Sequence, residues 1–80
     1  MEAIEGYFHG LGGDVISLAE SGIPIDDVLA QHLQGRDARA IHARIPALRL
    51  DEIYATLTFY YTNQAQIDAY LARRQGRRAA

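Results

Sequence analysis

The spacing of apolar residues between positions 50 and 61 constrains the fold of this chain more than any other feature. Leucine, isoleucine and tyrosine recur there at intervals of three and four residues, at Leu50, Ile53, Tyr54, Leu57, Tyr60 and Tyr61. This periodicity places them on one face of an α-helix. Asp51 and Glu52 fall in the first turn, where the helix dipole favours acidic groups. We therefore predict a helix over residues 50–61 that buries this stripe.

Local signals predict two shorter helices before this one. Pro24 suits the first position of a helix, where its missing N–H would have no partner, and Gly35 suits the left-handed residue after the end. The inner face of that helix would hold Ile25, Val28, Leu29 and Leu33. Asp37 can cap the free N–H groups of the next helix. Pro46 stops this second helix, because proline disfavours helical backbone at the residue before it.

A fourth helix and an N-terminal arm complete the predicted fold. Asn63 and Gln66 have the spacing of a capping box, and Gly76 is expected to end the helix. Four of the first thirteen residues are glycine, which indicates turns, and a short strand is predicted at 15–18. We predict a mostly α fold, a small helix-turn-helix-like domain of three or four helices after a short N-terminal strand. Its parts are an arm at 1–22, helices at 23–72 and a basic tail at 73–80.

Charge is distributed unevenly along the chain. Residues 1–72 hold ten acids and four arginines, a net charge of −6, whereas residues 73–80 hold four arginines and no acid, a net charge of +4. An acidic body disfavours binding to a phosphate backbone, which requires clustered basic groups. The tail is either a frayed, solvated terminus or an arm that docks on an acidic partner. The residues of such an arm would be Arg73, Arg74, Arg77 and Arg78.

Length and composition narrow the class of protein further. Eighty residues form one domain with a small core, and the absence of cysteine excludes disulfides and thiolate metal sites. Small secreted domains usually depend on such cross-links, so we expect a cytoplasmic protein. The sequence has no apolar run near the 18 or so residues that span a bilayer, and its acidic N-terminus is unlike a signal peptide. We expect no membrane association.

The sequence contains no clear constellation of catalytic or metal-ligating residues. His9, His32 and His42 are far apart and lack the accompanying acid of a helical zinc motif. The glycines of residues 10–13 lack the flanking strand, helix and lysine of a nucleotide-binding loop. We therefore expect a protein that is not an enzyme and that has no cofactor and no metal site.

The helical region also carries a series of short motifs. They are Ile23-Pro24-Ile25, Asp27-Val28-Leu29, Asp37-Ala38-Arg39-Ala40-Ile41, Pro46-Ala47-Leu48, Ile53-Tyr54-Ala55-Thr56-Leu57, Tyr60-Tyr61 and Ile67-Asp68-Ala69-Tyr70-Leu71. With Tyr7-Phe8 upstream, this series resembles the domain-of-unknown-function 433 family, predicted antitoxin components of toxin–antitoxin pairs. The family's usual glycine–threonine–arginine is replaced here by Glu20-Ser21-Gly22. The resemblance implies a homeodomain-like or winged-helix fold that neutralises a nuclease-type toxin, with operator DNA as a further ligand.

Two classes of partner follow from these observations. The first is a nuclease-type toxin, whose metal-binding carboxylates would form bidentate pairs with arginines of the tail. We expect a chain that ends at Ala72 to fold normally and to lose this partner. The second is operator DNA bound by a dimer, with Arg39, Arg44 and Arg49 on the phosphate backbone. The predicted exposed face of the third helix argues against DNA, because it offers carboxylates and no arginine or lysine. That face comprises Asp51, Glu52, Ala55, Thr56, Thr58 and Phe59.

A homodimer is predicted from the small core and from the strand at 15–18. An unpaired strand edge tends to find a partner, and a core of this size gains from association. The predicted interface comprises Val15, Ile16, Leu18 and Phe59. For Phe59 a second contact with the core is an equal alternative. A dimeric structural protein with no ligand remains a third hypothesis for function.

Overall fold

The structure is a computed structural model that describes the backbone of residues 4–79 and the side chains of residues 4–76. Within that range, four helices follow a short N-terminal sheet: α1 (Ile25–Leu33), α2 (Ala38–Arg44), α3 (Leu50–Thr62) and α4 (Gln64–Ala79). A 3-10 turn at Ile4–Tyr7 leads into strand β1 (Phe8–His9), which pairs antiparallel with β2 (Ser17–Leu18). The predicted mostly helical class is confirmed.

Helix α1 begins and ends close to its predicted limits. Pro24 is the N-cap residue rather than the first helical one, with extended backbone at φ −63° and ψ 144°. Gly35 follows the helix with a φ of +93°, a left-handed conformation that residues with a Cβ adopt only at a cost. The inward residues are buried as predicted except Leu33, which is 59% exposed because the last turn reaches the surface.

Short-range sequence signals correctly predicted helix α2 and the turn after it. Oδ1 of Asp37 accepts a hydrogen bond from the Ala40 N–H at 2.8 Å, so the predicted cap is confirmed. The helix ends at Arg44, just before Pro46, also as predicted. Ile41 is fully buried and holds the short helix against the core.

Helix α3 has nearly the predicted limits, but it buries a wider and rotated face. Ile53 and Tyr60 are buried as predicted, whereas Tyr54 and Tyr61 are 55% and 57% exposed. Three residues that were predicted to be exposed are buried instead: Glu52, Ala55 and Thr56. The helix contacts α1, α2, α4 and the N-terminal turn, and small side chains let these neighbours approach. Thr56 tolerates burial because its hydroxyl donates to the Glu52 carbonyl at 2.8 Å.

Helix α4 is longer than predicted, because Gly76 does not end it. The helix continues to Ala79, so the segment 73–79 is the end of α4 rather than a separate tail. A glycine inside a helix costs about 1 kcal/mol relative to alanine, which does not by itself break the helix. At the other end, the side-chain amide of Asn63 donates to the Phe59 carbonyl at 3.1 Å and ties the start of α4 to α3.

The expectation of an unpaired strand at 15–18 is wrong. Strand β2 covers only Ser17–Leu18 and pairs with β1 on one side. On its other side Ser17 bridges to Pro24, and the Ile25 N–H donates to the Ile16 carbonyl at 2.9 Å. Both edges of this short strand are therefore occupied by the chain itself.

The arm and the helices share one hydrophobic core. Its buried members come from the arm and from every helix: Phe8, Ile16, Leu18, Ile25, Val28, Leu29, Ala38, Ile41, Leu48, Ile53, Ala55, Tyr60, Ile67 and Tyr70. The loop between the strands is compact because Gly10 approaches the Val15 carbonyl oxygen so closely that a Cβ would lie 2.2 Å from it. The arm is therefore an integral part of the domain.

Candidate functional site

A buried hydrogen-bond network ties α4 to α1 and to the arm. Asp26, in the first turn of α1, is 5% exposed. The Tyr70 hydroxyl donates to its Oδ1 at 2.7 Å and accepts from the Ile16 N–H at 3.0 Å. Nε of Arg74 donates to its Oδ2 at 2.6 Å. One hydroxyl and one guanidinium therefore join segments that lie far apart in the sequence.

The electrostatics of this network fix the protonation of its members near neutral pH. Burial would raise the pKa of Asp26, but the hydrogen bonds from Arg74 and Tyr70 outweigh burial and hold the pKa below its ordinary value of 3.8. Burial raises the pKa of the Tyr70 hydroxyl, and the bond to Asp26 raises the pKa of Arg74. The Asp26 carboxylate is thus an acceptor, and the Tyr70 hydroxyl and the Arg74 guanidinium are donors. We call these three side chains the lock, because together they hold α4 against α1 and the arm.

Two clefts border the lock. One, lined by Asp26 and Arg74 together with Ala30, Leu33, Leu71 and Gln75, holds about 80 Å³. The other, of about 300 Å³, is lined by Tyr70 and Ile16 together with Phe59, Ile67 and Arg73, among others. Pockets for small ligands usually hold roughly 300 Å³ or more, so only the second reaches the lower end of that range. Although perturbed pKa values often mark functional sites, the partners of these groups here are side chains and backbone of the same chain. The network therefore positions α4 against α1 and the arm.

The four arginines that were predicted to contact a partner are not equivalent. Arg74 points inward with its side chain 19% exposed and pairs with Asp26 of the same chain, so its guanidinium is not presented to a partner as expected. Arg73, one residue earlier on the helix, is exposed. Arg77 and Arg78 lie in the last turns of α4, and their side chains are outside the described residues.

The exposed side of α3 is a second candidate surface, which we call the tyrosine face and define as Tyr54, Thr58 and Tyr61. All three residues are exposed, and residues 53–67 contain no charged side chain. The Tyr61 hydroxyl lies 2.6 Å from Nε2 of His32, and the two rings meet edge-on at 5.5 Å. We missed this surface in the sequence because both tyrosines were placed on the buried stripe. The long uncharged run was the signal that could have revealed it.

The residues predicted for a dimer interface have different positions in the structure. Ile16 and Leu18 are buried in the core of this chain and present little or no surface to a second copy. Phe59 is half-buried, and its ring lies 4.8 Å from that of Phe8, so the core-contact alternative describes its observed surroundings. Val15 is exposed. These placements remove the argument for an interface built on β2.

The three arginines proposed for contact with DNA backbone also differ. Arg39 and Arg44 are exposed on α2. Arg49 pairs with Glu20 and with Oδ1 of Asp51, which lies 3.1 Å from Nε. The bond from Arg49, and then that from Tyr7, lowers the pKa of Asp51. Two carboxylates thus offset the charge of Arg49, which makes it a poor ligand for phosphate.

Polar groups around Arg49 line a surface cleft of about 240 Å³. The ion pairs in it are exposed, and such pairs usually contribute little to stability.

Within the described residues there is no group of three or more histidine, aspartate or glutamate side chains able to hold a metal ion. His42, for example, has its Nδ1 2.7 Å from the Leu48 carbonyl oxygen.

Comparisons with family models, curated proteins and solved structures find no match to this chain. None of the helices in the described part of the chain is long and apolar enough to cross a bilayer. Any functional proposal therefore rests on the structure itself, and its two candidate surfaces are the arginine-bearing end of α4 and the tyrosine face.

Proposed function

We propose that this chain is a non-enzymatic protein-interaction module of the antitoxin kind, which acts in the cytoplasm and neutralises a nuclease-type toxin. The observation that carries the proposal is the attachment of α4. The Asp26–Tyr70–Arg74 network fixes the helix on the body at Arg74, and the helical backbone continues to Ala79, which supports a held segment over a frayed terminus. A helix held in this way loses little conformational entropy when it binds.

The chemistry of the segment matches a partner rich in carboxylates. A guanidinium forms paired hydrogen bonds with a carboxylate, and an arginine held among metal-binding carboxylates would compete with the metal. A nuclease-type toxin carries such a cluster at its active site. The resemblance to the domain-of-unknown-function 433 family points to the same partner, and the succession of α2, turn and α3 accords with a helix-turn-helix arrangement.

The proposal is tested by tagged purification from the native host followed by mass spectrometry. We expect a small nuclease-like protein in stoichiometric amount. Charge reversal at Arg73 (R73E), and separately a chain that ends at Gly76, should reduce recovery of this protein and the protection it gives against toxicity. Reversal of the exposed Arg39 on α2 (R39E) is the matched control and should have no effect. Full recovery with both α4 variants would refute the proposal.

A second candidate, a dimeric autoregulator that binds operator DNA, is favoured by the two exposed arginines of α2, Arg39 and Arg44. The acidic body and the absence of arginine and lysine from α3 argue against DNA as the main partner. If DNA is bound through phosphates, the affinity must fall steeply as salt rises. In that case R39E would weaken binding to operator DNA and R73E would not, which is the reverse of the pattern expected for a toxin.

A further inference from the structure

The tyrosine face has the composition of a protein interface. Tyr54 and Tyr61 expose more than half of their surface, and Thr58 lies between them on the same side of α3. No charged residue occurs from 53 to 67. Interface centres are depleted of charged side chains and enriched in tyrosine, whereas an ordinary solvated helix face carries charges. This side of α3 therefore suits a desolvated contact.

Tyr61 is held in place before any partner arrives. Its hydroxyl is bonded to His32 of α1, and its ring lies edge-on to Tyr60, with the ring centroids 5.1 Å apart. A side chain that is already ordered loses little entropy on binding. Fixed aromatic side chains of this kind frequently act as interface anchors.

The face is complementary to itself. Tyr54 and Tyr61 lie two turns apart, about 10 Å along the axis at 1.5 Å per residue. If two α3 helices run antiparallel with a two-fold axis beside Thr58, Tyr54 of each copy meets Tyr61 of the other. Aromatic rings favour such pairing in offset or edge-on geometry.

Electrostatics do not oppose this arrangement. Asp51, one turn before Tyr54, would lie near Gln64 of the second copy, and its carboxylate is already paired with Arg49 and bonded to the Tyr7 hydroxyl of its own chain. No like charges oppose each other within the face, although the net charge of residues 1–72 is −6 in each copy. Neither an acidic nor a basic partner would find a complementary charge between the two tyrosines.

We propose that a second copy of this chain binds the tyrosine face, with the two α3 helices antiparallel about a two-fold axis beside Thr58. This homodimer differs from the one predicted at β2, whose edges are occupied and whose apolar residues are buried. It does not depend on the function proposed for α4, because the two surfaces share no residue.

The first test is the molar mass of the full chain by light scattering over a range of concentrations. We expect wild-type protein to form a dimer and Thr58→Arg (T58R) to weaken dimerisation by roughly tenfold or more, since it brings two buried positive charges together. Ala69→Arg on the exposed side of α4 is the matched control and should remain dimeric. Circular dichroism should show that T58R keeps its fold. Binding of T58R to the toxin measures the α4 proposal separately.

The second test uses the absence of cysteine from the chain. Thr58→Cys should form an intermolecular disulfide under mild oxidation, because residues beside a two-fold axis come within bridging distance. Ala69→Cys should not. A monomer at all concentrations, or a dimer unaffected by T58R and not cross-linked through position 58, would overturn the proposal. A monomer that uses the tyrosine face to bind a different protein would overturn it as well.

Discussion

The hydroxyl of Tyr70 has two partners that belong to different parts of the chain. It accepts from the Ile16 N–H of the arm and donates to the Asp26 carboxylate of α1. Both of these hydrogen bonds are buried. A buried group that loses its partner bears the full cost of its removal from water.

Tyr70→Phe removes this hydroxyl and leaves the ring in the core. We expect the free energy of unfolding to fall by about 2–3 kcal/mol, because one bond is to a charged group and a buried N–H loses its acceptor. Urea denaturation measures the change. Tyr54→Phe, at an exposed tyrosine, is the matched control and should change stability by less than about 0.5 kcal/mol. Equal effects of the two variants would show that the lock contributes little.

Asp26 should make stability depend on pH in acid. Its pKa in the folded chain is lowered below 3.8, so the stability that its charge contributes is present above that value and is lost as the pH falls through the folded pKa. Asp26→Asn should therefore be less stable than wild type at pH 7, and the difference should shrink below about pH 4. Urea denaturation at several pH values measures it. A difference that stays constant or widens in acid would contradict this account.

The sequence predicted contacts between neighbouring residues better than contacts between residues far apart in the chain. The cap at Asp37 could be predicted because donor and acceptor lie three residues apart. The pairing of Asp26 with Arg74 could not, because it joins residues 48 positions apart and depends on where α4 packs. Arg74 therefore looked like one more solvated arginine of the tail.

At the scale of elements, α2 is the helix most dependent on its cap. It has seven residues, too few for independent stability, and Asp37 satisfies one of its free N–H groups. We expect Asp37→Ala to lower the free energy of unfolding by about 1 kcal/mol, whereas Asp37→Asn should be close to neutral because asparagine caps equally well. Thermal unfolding followed by circular dichroism compares the two. A neutral alanine variant would mean that packing of Ile41 alone holds α2.

The limits of the helices were easier to predict than their orientation. Periodicity predicted nearly the full length of α3, but only part of the predicted stripe is buried: Ile53 and Tyr60 are buried, whereas Tyr54 and Tyr61 are exposed. Tyrosine counts as apolar in a pattern yet tolerates water through its hydroxyl, while Ala55 and Thr56 are small enough to lie beneath packed neighbours. Which face of a central helix is buried depends on the elements that pack around it. The sequence of that helix alone does not contain this information. The missed tyrosine face is the result of this error.

At the scale of the whole molecule, the end of α4 contributes to stability as well as to the proposed binding. The sequence suggested that residues 73–80 could be removed without effect on the fold. The structure argues against this expectation, because a chain that ends at Ala72 lacks Arg74 and leaves the buried Asp26 carboxylate without its guanidinium partner. Removal of one member of a buried ion pair is strongly destabilising.

Two truncations separate these contributions. The chain that ends at Ala72 should unfold roughly 10 °C or more below the full chain, since small domains lose several degrees for each kcal/mol. The chain that ends at Gly76 keeps the lock and should unfold within about 2 °C of the full chain, because surface changes away from the core are usually small. Differential scanning calorimetry gives both values. If both truncations unfold at the temperature of the full chain, the lock does not hold α4, and the rigid helix that carries Arg73 loses its physical basis.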